Sequence, residues 1–245
     1  MSSVGIDIGS TYTKYCVMEG GKILSLSSER TPVRQKDYFD KKTAELETLY
    51  PGASMVTCGY GRHNAGSGKT ISELVALAAG AGMTAPDHNV VLDIGGQDTK
   101  IIVCENGKLK EFFVNDKCAA GCGMFVVNSL NLLQMDFSEI SLGDGDQPGA
   151  KLSSTCAVFA QSEITELLAD NCQPEEIMRA VIWQILIQSK ALIGKVRLDK
   201  LLFTGGLTQI KGIERYASAV FGVPVTIPDN SIYLSAIGAA ITAAN

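Results

Sequence analysis

The sequence predicts an α/β protein built from two related lobes. The first observation behind this reading is the stretch VVLDIGGQDTKIIVCENGKLKEF, from Val90 to Phe112. It reads as an apolar strand ending at Asp93, a Gly95-Gly96 turn, a second strand from Thr99 to Cys104, an Asn106-Gly107 turn and a third strand. Asn-Gly between alternating apolar residues is a strong hairpin signal, because both turn positions favour positive φ. The second observation is that the unit occurs twice. A shift of 86 positions (93 − 7) lays Asp7-Ile8-Gly9 on Asp93-Ile94-Gly95 and Thr13-Lys14 on Thr99-Lys100. The same shift lays Glu19-Gly20-Gly21-Lys22 on Glu105-Asn106-Gly107-Lys108. Third, helical and strand patterns alternate through the rest of the chain.

In order, the first unit places strands at Val4–Ile8, Tyr12–Met18 and Lys22–Ser28. Helical spacing follows over Asp37–Tyr50, stopped by Pro51-Gly52, then a strand at Ser54–Cys58 running into Gly59-Tyr60-Gly61-Arg62. The segment NAGSGKT (Asn64–Thr70) imitates a P-loop. That motif needs glycine five positions before its Gly-Lys, where this chain has His63, and a strand entering the loop directly. A helix over Ile71–Ala81 precedes the second unit. After it come helices over Gly121–Leu133, Val158–Asp170 and Gln173–Gly194, the last with Trp183 on its buried face. Between the first two of these lies a polar loop, Phe137–Gly149. A strand at Leu201–Phe203 meets the turn Gly205-Gly206, and a helix over Gly212–Phe221 and a strand at Val223–Thr226 follow. The last helix, Ser235–Ala244, carries Gly238-Ala239-Ala240 and should pack closely on a neighbour.

Length and composition narrow the function. At 245 residues, two lobes of adequate core size fit. A net charge of −5 with no basic stripe argues against nucleic acid. No basic n-region with an apolar h-region opens the chain, and the apolar stretches Leu74–Ala85 and Ala180–Ile193 are too short or interrupted to span a bilayer. A cytoplasmic protein is expected. Of seven cysteines, Cys16, Cys58 and Cys104 lie on apolar strands and read as core. Cys118, Cys122, Cys156 and Cys172 fall outside the strand pattern.

The two turns carry the chemistry. Backbone N–H groups and hydroxyls of Gly, Ser and Thr close on phosphate oxygens, and an Asp can hold hydrated Mg2+. Matched hairpins, each with Asp at its first turn, suggest two half-sites facing one polyanion. The pattern resembles the phosphate motifs of the acetate kinase, sugar kinase, heat-shock chaperone and actin superfamily. That resemblance implies two ribonuclease H-like lobes of the actin-type ATPase fold with the nucleotide cleft between them. We assign 1–86 plus 232–245 to the first lobe and 87–231 to the second. The resemblance also makes KLLFTGGL (Lys200–Leu207) the adenosine-side turn, with Gly205, Gly206 and Leu207 flanking the nucleoside.

The cysteine motifs sharpen this. Cys118 in NDKCAAGCG and Cys156 in SSTCAVFAQSE each open a predicted helix, where thiolates are stabilised. DIGSTYTK, GYGR, DIGGQDTK, NDKCAAGCG and SSTCAVFAQSE, in this order, resemble the activator ATPases of 2-hydroxyacyl-CoA dehydratases. ATPase subunits of benzoyl-CoA reductase and reductases of double-cubane-cluster proteins belong with them. The resemblance spans essentially the whole chain. It implies a homodimer in which Cys118 and Cys156 of each subunit ligate one shared [4Fe–4S] cluster, reaching four thiolates through the two-fold axis. A cage of Cys118, Cys122, Cys156 and Cys172 within one chain, and zinc in place of iron, stay open. Departures from the resembling sequences are Cys122 where Thr is usual, Met124 where a basic residue is common and Gln161 where Glu is common. The apolar helix after Leu74 also lacks a histidine found in relatives.

The mechanism so implied is ATP-driven electron transfer. A ferredoxin or flavodoxin loads the cluster, ATP reshapes the dimer, and one low-potential electron passes to a dehydratase or related cluster protein. An uphill electron costs about 2.3 kcal/mol per 100 mV, within reach of nucleotide hydrolysis. Asp7 and Asp93 would hold Mg2+ through water. Gly9, Ser10, Thr11, Thr13, Gly95, Gly96, Gln97, Asp98 and Thr99 would surround the phosphates, with Gln97 orienting the attacking water. Lys14 joins them, unless it and Lys100 are strand lysines facing solvent. The alternatives are a small-molecule kinase of the same fold without a cluster and, further off, a filament or chaperone module.

Overall fold

Each repeat folds into the antiparallel meander that its alternation predicts. In a computed structural model, which describes residues 2–66, 68–115, 119–143, 147–154, 156–194 and 196–244, the first consists of β1 (Ser2–Ile8), β2 (Tyr12–Glu19) and β3 (Lys22–Arg30). The β2–β3 turn puts Gly20 and Gly21 at φ +56° and +79°. Its counterpart, Asn106-Gly107, sits at +52° and +72°. Two consecutive positive φ values are the type I′ geometry that suits the right-handed twist of paired strands. Then come α1 (Gln35–Leu49), β4 (Ser54–Cys58), a two-residue β5 (Lys69–Thr70) and α2 (Glu73–Thr84).

The second repeat is β6 (Val90–Ile94), β7 (Thr99–Glu105) and β8 (Lys108–Asn115). It is followed by α3 (Gly123–Leu133), α4 (Ala157–Ala169) and α5 (Pro174–Ile193). The chain closes with β9 (Leu201–Gly205), α6 (Ile213–Phe221), β10 (Val225–Thr226) and α7 (Leu234–Ala244). The sheets have the orders β3-β2-β1-β4-β5 and β10-β9-β6-β7-β8. Both mix parallel with antiparallel or consecutive neighbours in the same plan. β1 pairs in parallel with β4, and β6 pairs in parallel with β9.

The chain divides into two compact units: Met1–Asn89 with Ile102–Phe112 and Asn230–Asn245, and Val90–Ile101 with Phe113–Asp229. In the first, α7 packs on β1 and α2 through small residues, as its composition predicts. A Cβ on Gly5 would lie 2.0 Å from the Ala236 carbonyl oxygen, and one on Gly238 would lie 1.7 Å from that of Ala76. No side chain fits where backbones touch this closely. In the second unit α5 is the spine of the core, burying Ile177, Val181, Ile182, Ile185 and Leu186 with Phe203 and Tyr216.

Some boundaries differ from the sequence reading, each for a local reason. α2 begins at Glu73 because the Ile71 N–H donates to the Thr57 carbonyl at 2.9 Å, continuing the β4–β5 ladder. α3 begins at Gly123, after a 3-10 turn at Ala119–Gly121. Trp183 lies on the core-facing side of α5 as expected, half-buried, and packs edge-on against Tyr216 with ring centroids 5.6 Å apart. Cys16, Cys58 and Cys104 are buried, as expected of core residues. Burial pushes the Cys16 thiol up to about 12 and raises that of Cys104. Among the described residues no helix is long and apolar enough to cross a membrane.

Candidate functional site

In the first unit, Asp7 is the penultimate residue of β1 and is 4% exposed. Burying a carboxylate requires partners. Lys14 supplies one from β2, its Nζ 3.2 Å from Asp7 Oδ2. Across the parallel ladder Asp7 faces Cys58, whose Sγ lies 3.9 Å from Oδ1. The next residue is Gly59, at φ +86°, where a Cβ would meet the Ile8 carbonyl oxygen at 2.5 Å and Asp7 Oδ1 at 2.6 Å. Glycine here lets the Gly59–Arg62 turn close over the end of β1, and the Gly61 N–H donates to the Ile8 carbonyl at 2.9 Å. Beyond Asp7, Thr31 Oγ1 donates to the Gly9 carbonyl at 2.8 Å and lies 2.9 Å from Thr13 Oγ1. Ser10 and Thr11 sit half-exposed at the turn.

The second unit repeats this arrangement with stronger partners. Lys100 Nζ lies 3.6 Å from Asp93 Oδ2 and 2.7 Å from Asp98 Oδ1, with its side chain 6% exposed. Asp93 faces Thr204 across the parallel β6–β9 ladder, and Thr204 Oγ1 donates to Asp93 Oδ1 at 2.8 Å. Gly205 follows at φ +95°, where a Cβ would meet the Ile94 carbonyl oxygen at 2.3 Å. Gly95 N–H donates to the Asp98 carbonyl at 2.9 Å, closing the turn. Gln97 is exposed at its tip. A Cβ on Gly206 would meet nothing within 4 Å, so this face is open, while Leu207 is buried.

The repeat therefore runs deeper than the hairpins. Cys58-Gly59 and Thr204-Gly205 are equivalent ends of equivalent parallel strands. Sequence reasoning assigned Gly205 to the site but gave Cys58 to the core and no role to Thr204 or Thr31. The GYGR motif was the available signal for the first of these. Lys14 and Lys100 do not face solvent. Each turns onto its Asp because β1–β2 and β6–β7 place it beside the buried carboxylate. Lys69 of the P-loop look-alike is an edge-strand residue whose Nζ donates to the Thr242 carbonyl at 3.3 Å. Asp98 and Thr99, expected near phosphate, hold the turn together: Asp98 through Lys100, and Thr99 by donating from Oγ1 to the Gly121 carbonyl.

That last contact belongs to a set. The Gly123 N–H donates to the Gly95 carbonyl at 2.9 Å, and the Met124 N–H donates to the Gly96 carbonyl at 2.8 Å. The first N–H groups of a helix have no partner within it. In α3 the carbonyls of the second Asp turn satisfy two of them. A Cβ on Gly123 would sit 3.0 Å from the Gly95 oxygen and 3.6 Å from Leu207 Cδ1.

Of the two cysteines expected to ligate a cluster, Cys118 lies outside the described residues. Cys156 is the N-cap of α4, half-buried, and its carbonyl accepts the Ala160 N–H at 2.9 Å. Val158 and Phe159, in the first turn, are 70% and 67% exposed, so the start of α4 presents apolar surface. That placement fits a thiolate ligand at the edge of the chain. Buried Cys122 caps α3, and Cys172 is half-buried beyond the far end of α4. No three metal-binding groups converge among the described residues.

Comparison with known proteins agrees with this geometry. An uncharacterized protein of Methanocaldococcus jannaschii is 36% identical over 239 residues, covering 96% of this chain and 98% of its own. The (R)-2-hydroxyglutaryl-CoA dehydratase activating ATPase of Acidaminococcus fermentans is 32% identical over 253 residues, covering 98% and 96%. The crystal structure of (R)-2-hydroxyglutaryl-CoA dehydratase component A from the same organism, 30% identical, superposes with a TM-score of 0.87 over the whole of both chains. The activator of the 2-hydroxyisocaproyl-CoA dehydratase from Clostridium difficile, with bound ADPNP, also gives 0.87 at 31% identity, covering 99% and 94%. The α/β architecture is thus that of the actin-type ATPases. Residues 4–243 match the model of the BadF/BadG/BcrA/BcrD ATPase family, and the chain belongs to that family.

Proposed function

We propose that this ATPase couples nucleotide hydrolysis to delivery of a low-potential electron onto a partner dehydratase or reductase. The observation that carries this is the direct bonding of the second Asp turn to the start of α3, the helix that follows the Cys118 motif. The names of the relatives, which activate 2-hydroxyacyl-CoA dehydratases, support the partner class. Each Asp turn would take part in nucleotide binding. Asp7 and Asp93 would hold Mg2+ through water, and the metal would supply charge neutralisation at the phosphates; Lys14 and Lys100, which lie on those carboxylates, would supply further positive charge there. Ser10, Thr11, Gly95 and Gly96 are half-exposed and Gln97 is exposed at the two turns, where they would line the phosphates.

Cys118 and Cys156 of each subunit would hold a [4Fe–4S] cluster shared by a homodimer, and such a cluster supplies one-electron chemistry. The residues around Cys156 suit that role, since exposed Val158 and Phe159 offer an apolar surface for a second copy to cover. A ferredoxin or flavodoxin is the donor in this reading. In this reading the lobes are residues 1–86 with 232–245 and residues 87–231.

Anaerobic purification tests the proposal. The protein should be brown and carry about four irons per dimer, and Cys118→Ala or Cys156→Ala should abolish the broad absorbance while Cys122→Thr keeps it. Colourless protein that phosphorylates a small acceptor would instead establish the kinase reading.

A further inference from the structure

The segment before Cys156 is held by a side chain that the nucleotide and cluster readings do not use. Glu163, in the second turn of α4, reaches back along its own helix and accepts two donors. Its Oε2 takes the Ser153 N–H at 2.7 Å, and its Oε1 takes the Ser154 hydroxyl at short range. These donations, the hydroxyl first and the backbone N–H second, hold the Glu163 carboxyl below the usual carboxylate range. From α5, Gln184 Nε2 donates to the Ser154 carbonyl at 3.4 Å. On the other side of the cysteine, α4 fixes Cys156 itself through the Ala160 N–H. The thiol is therefore set between two pinned pieces of backbone, two and three residues before it and four after.

We infer that Glu163 is a positioning residue for Cys156, fixing the loop that presents its thiolate to a metal cluster. The inference rests on the assignment of Cys156 as a ligand, but its first measurement does not need the cluster. A carboxylate suits the task because its two oxygens accept from the Ser153 N–H and the Ser154 hydroxyl at once. Glutamine is a graded replacement. Its carbonyl oxygen can accept the Ser153 N–H while its amide donates to Ser154 Oγ, whose hydroxyl can rotate. Alanine leaves neither bond. Ligands held by outer partners in this way bind metal more tightly than ligands left loose.

The experiment compares the parent protein with Glu163→Ala and Glu163→Gln. In metal-free protein, alkylation by iodoacetamide is followed peptide by peptide. Cys172, half-buried beyond the C-terminal end of the same helix, is the internal reference. Glu163→Ala should raise the Cys156 rate at least threefold relative to Cys172, and Glu163→Gln should recover half or more of the difference. In anaerobic iron-loaded protein, removal of iron by a soluble chelator should accelerate in the same order, with ATP hydrolysis unchanged. Ser154→Ala added to Glu163→Ala should bring no further change. An unaltered Cys156-to-Cys172 ratio in Glu163→Ala would overturn the inference. So would an equal rise at both cysteines, which reports general loosening of α4. A parent without iron whose ratio still responds would remove the cluster assignment and keep the positioning role. A loaded parent whose ratio does not respond would do the reverse.

Discussion

The two Asp turns are built alike and fastened differently. In both, a buried or half-buried Asp ends a central strand and takes a lysine from the next one. In both, the residue opposite it on a parallel strand contacts Oδ1, and a positive-φ glycine then closes on the following isoleucine. The partners differ in strength. Cys58 offers a weak S–H donor at 3.9 Å, whereas Thr204 donates a hydroxyl at 2.8 Å. Tyr12 stands at the position where the second turn has Asp98, so Lys14 pairs with Asp7 while Lys100 lies between two carboxylates. The largest difference is what each turn is tied to. The Gly9 carbonyl and the Thr13 hydroxyl bond to the side chain of Thr31, just beyond β3. The Gly95 and Gly96 carbonyls and the Thr99 hydroxyl bond to Gly121–Met124, the start of α3. One turn is thus anchored to a connecting segment and the other to a helix. Movement at the second turn has to be felt along α3, because backbone bonds at a helix start cannot stretch independently of the helix.

The strongest break in the comparison should come from the carboxylates. Asp7→Asn and Asp93→Asn should each lower ATP hydrolysis by about 100-fold or more if each turn takes part in binding magnesium nucleotide. Retention of near-parental activity by either variant would make that turn structural only.

Removal of the lysines should separate the turns. Lys100→Ala leaves two neighbouring carboxylates without their shared cation and should cost about 3 kcal/mol in urea unfolding. Lys14→Ala, at a side chain 23% exposed, should cost about 1 kcal/mol. Equal losses would mean that the Asp98 contact adds nothing.

Gly123→Ala tests the tether. Its Cβ would press on the Gly95 oxygen at 3.0 Å, with a stability loss of about 1 kcal/mol. In iron-loaded parent protein, Mg-ATP should change the chelation rate several-fold. In Gly123→Ala, and in Gly96→Ala, that ratio should fall toward one, whereas Thr31→Ala at the first turn should preserve it. Loss of the ratio in Thr31→Ala as well would show that the two anchors are equivalent. The smallest effect belongs to Lys69→Ala, which should leave hydrolysis within about twofold because its ammonium caps α7 rather than a phosphate. An inactive Lys69→Ala protein would restore the P-loop reading.

The sequence alone determined a good deal here, for reasons that are local. Strand alternation, paired turn residues and the 86-residue repeat are encoded over a few positions each, so both meanders, their Asp ends and most helices could be read directly. The placement of Cys156 at the start of α4 and the small-residue character of α7 were legible in the same way. What the tertiary structure decided are partnerships between distant positions. Asp93 with Thr204, Asp7 with Cys58 and Gly95 with Gly123 join strands and helices whose registers no short window specifies. The direction of Lys14 and Lys100 was ambiguous because a strand lysine has two faces to choose from. Burial of the neighbouring carboxylate settles that choice, since a charge removed from water draws the nearest cation to it.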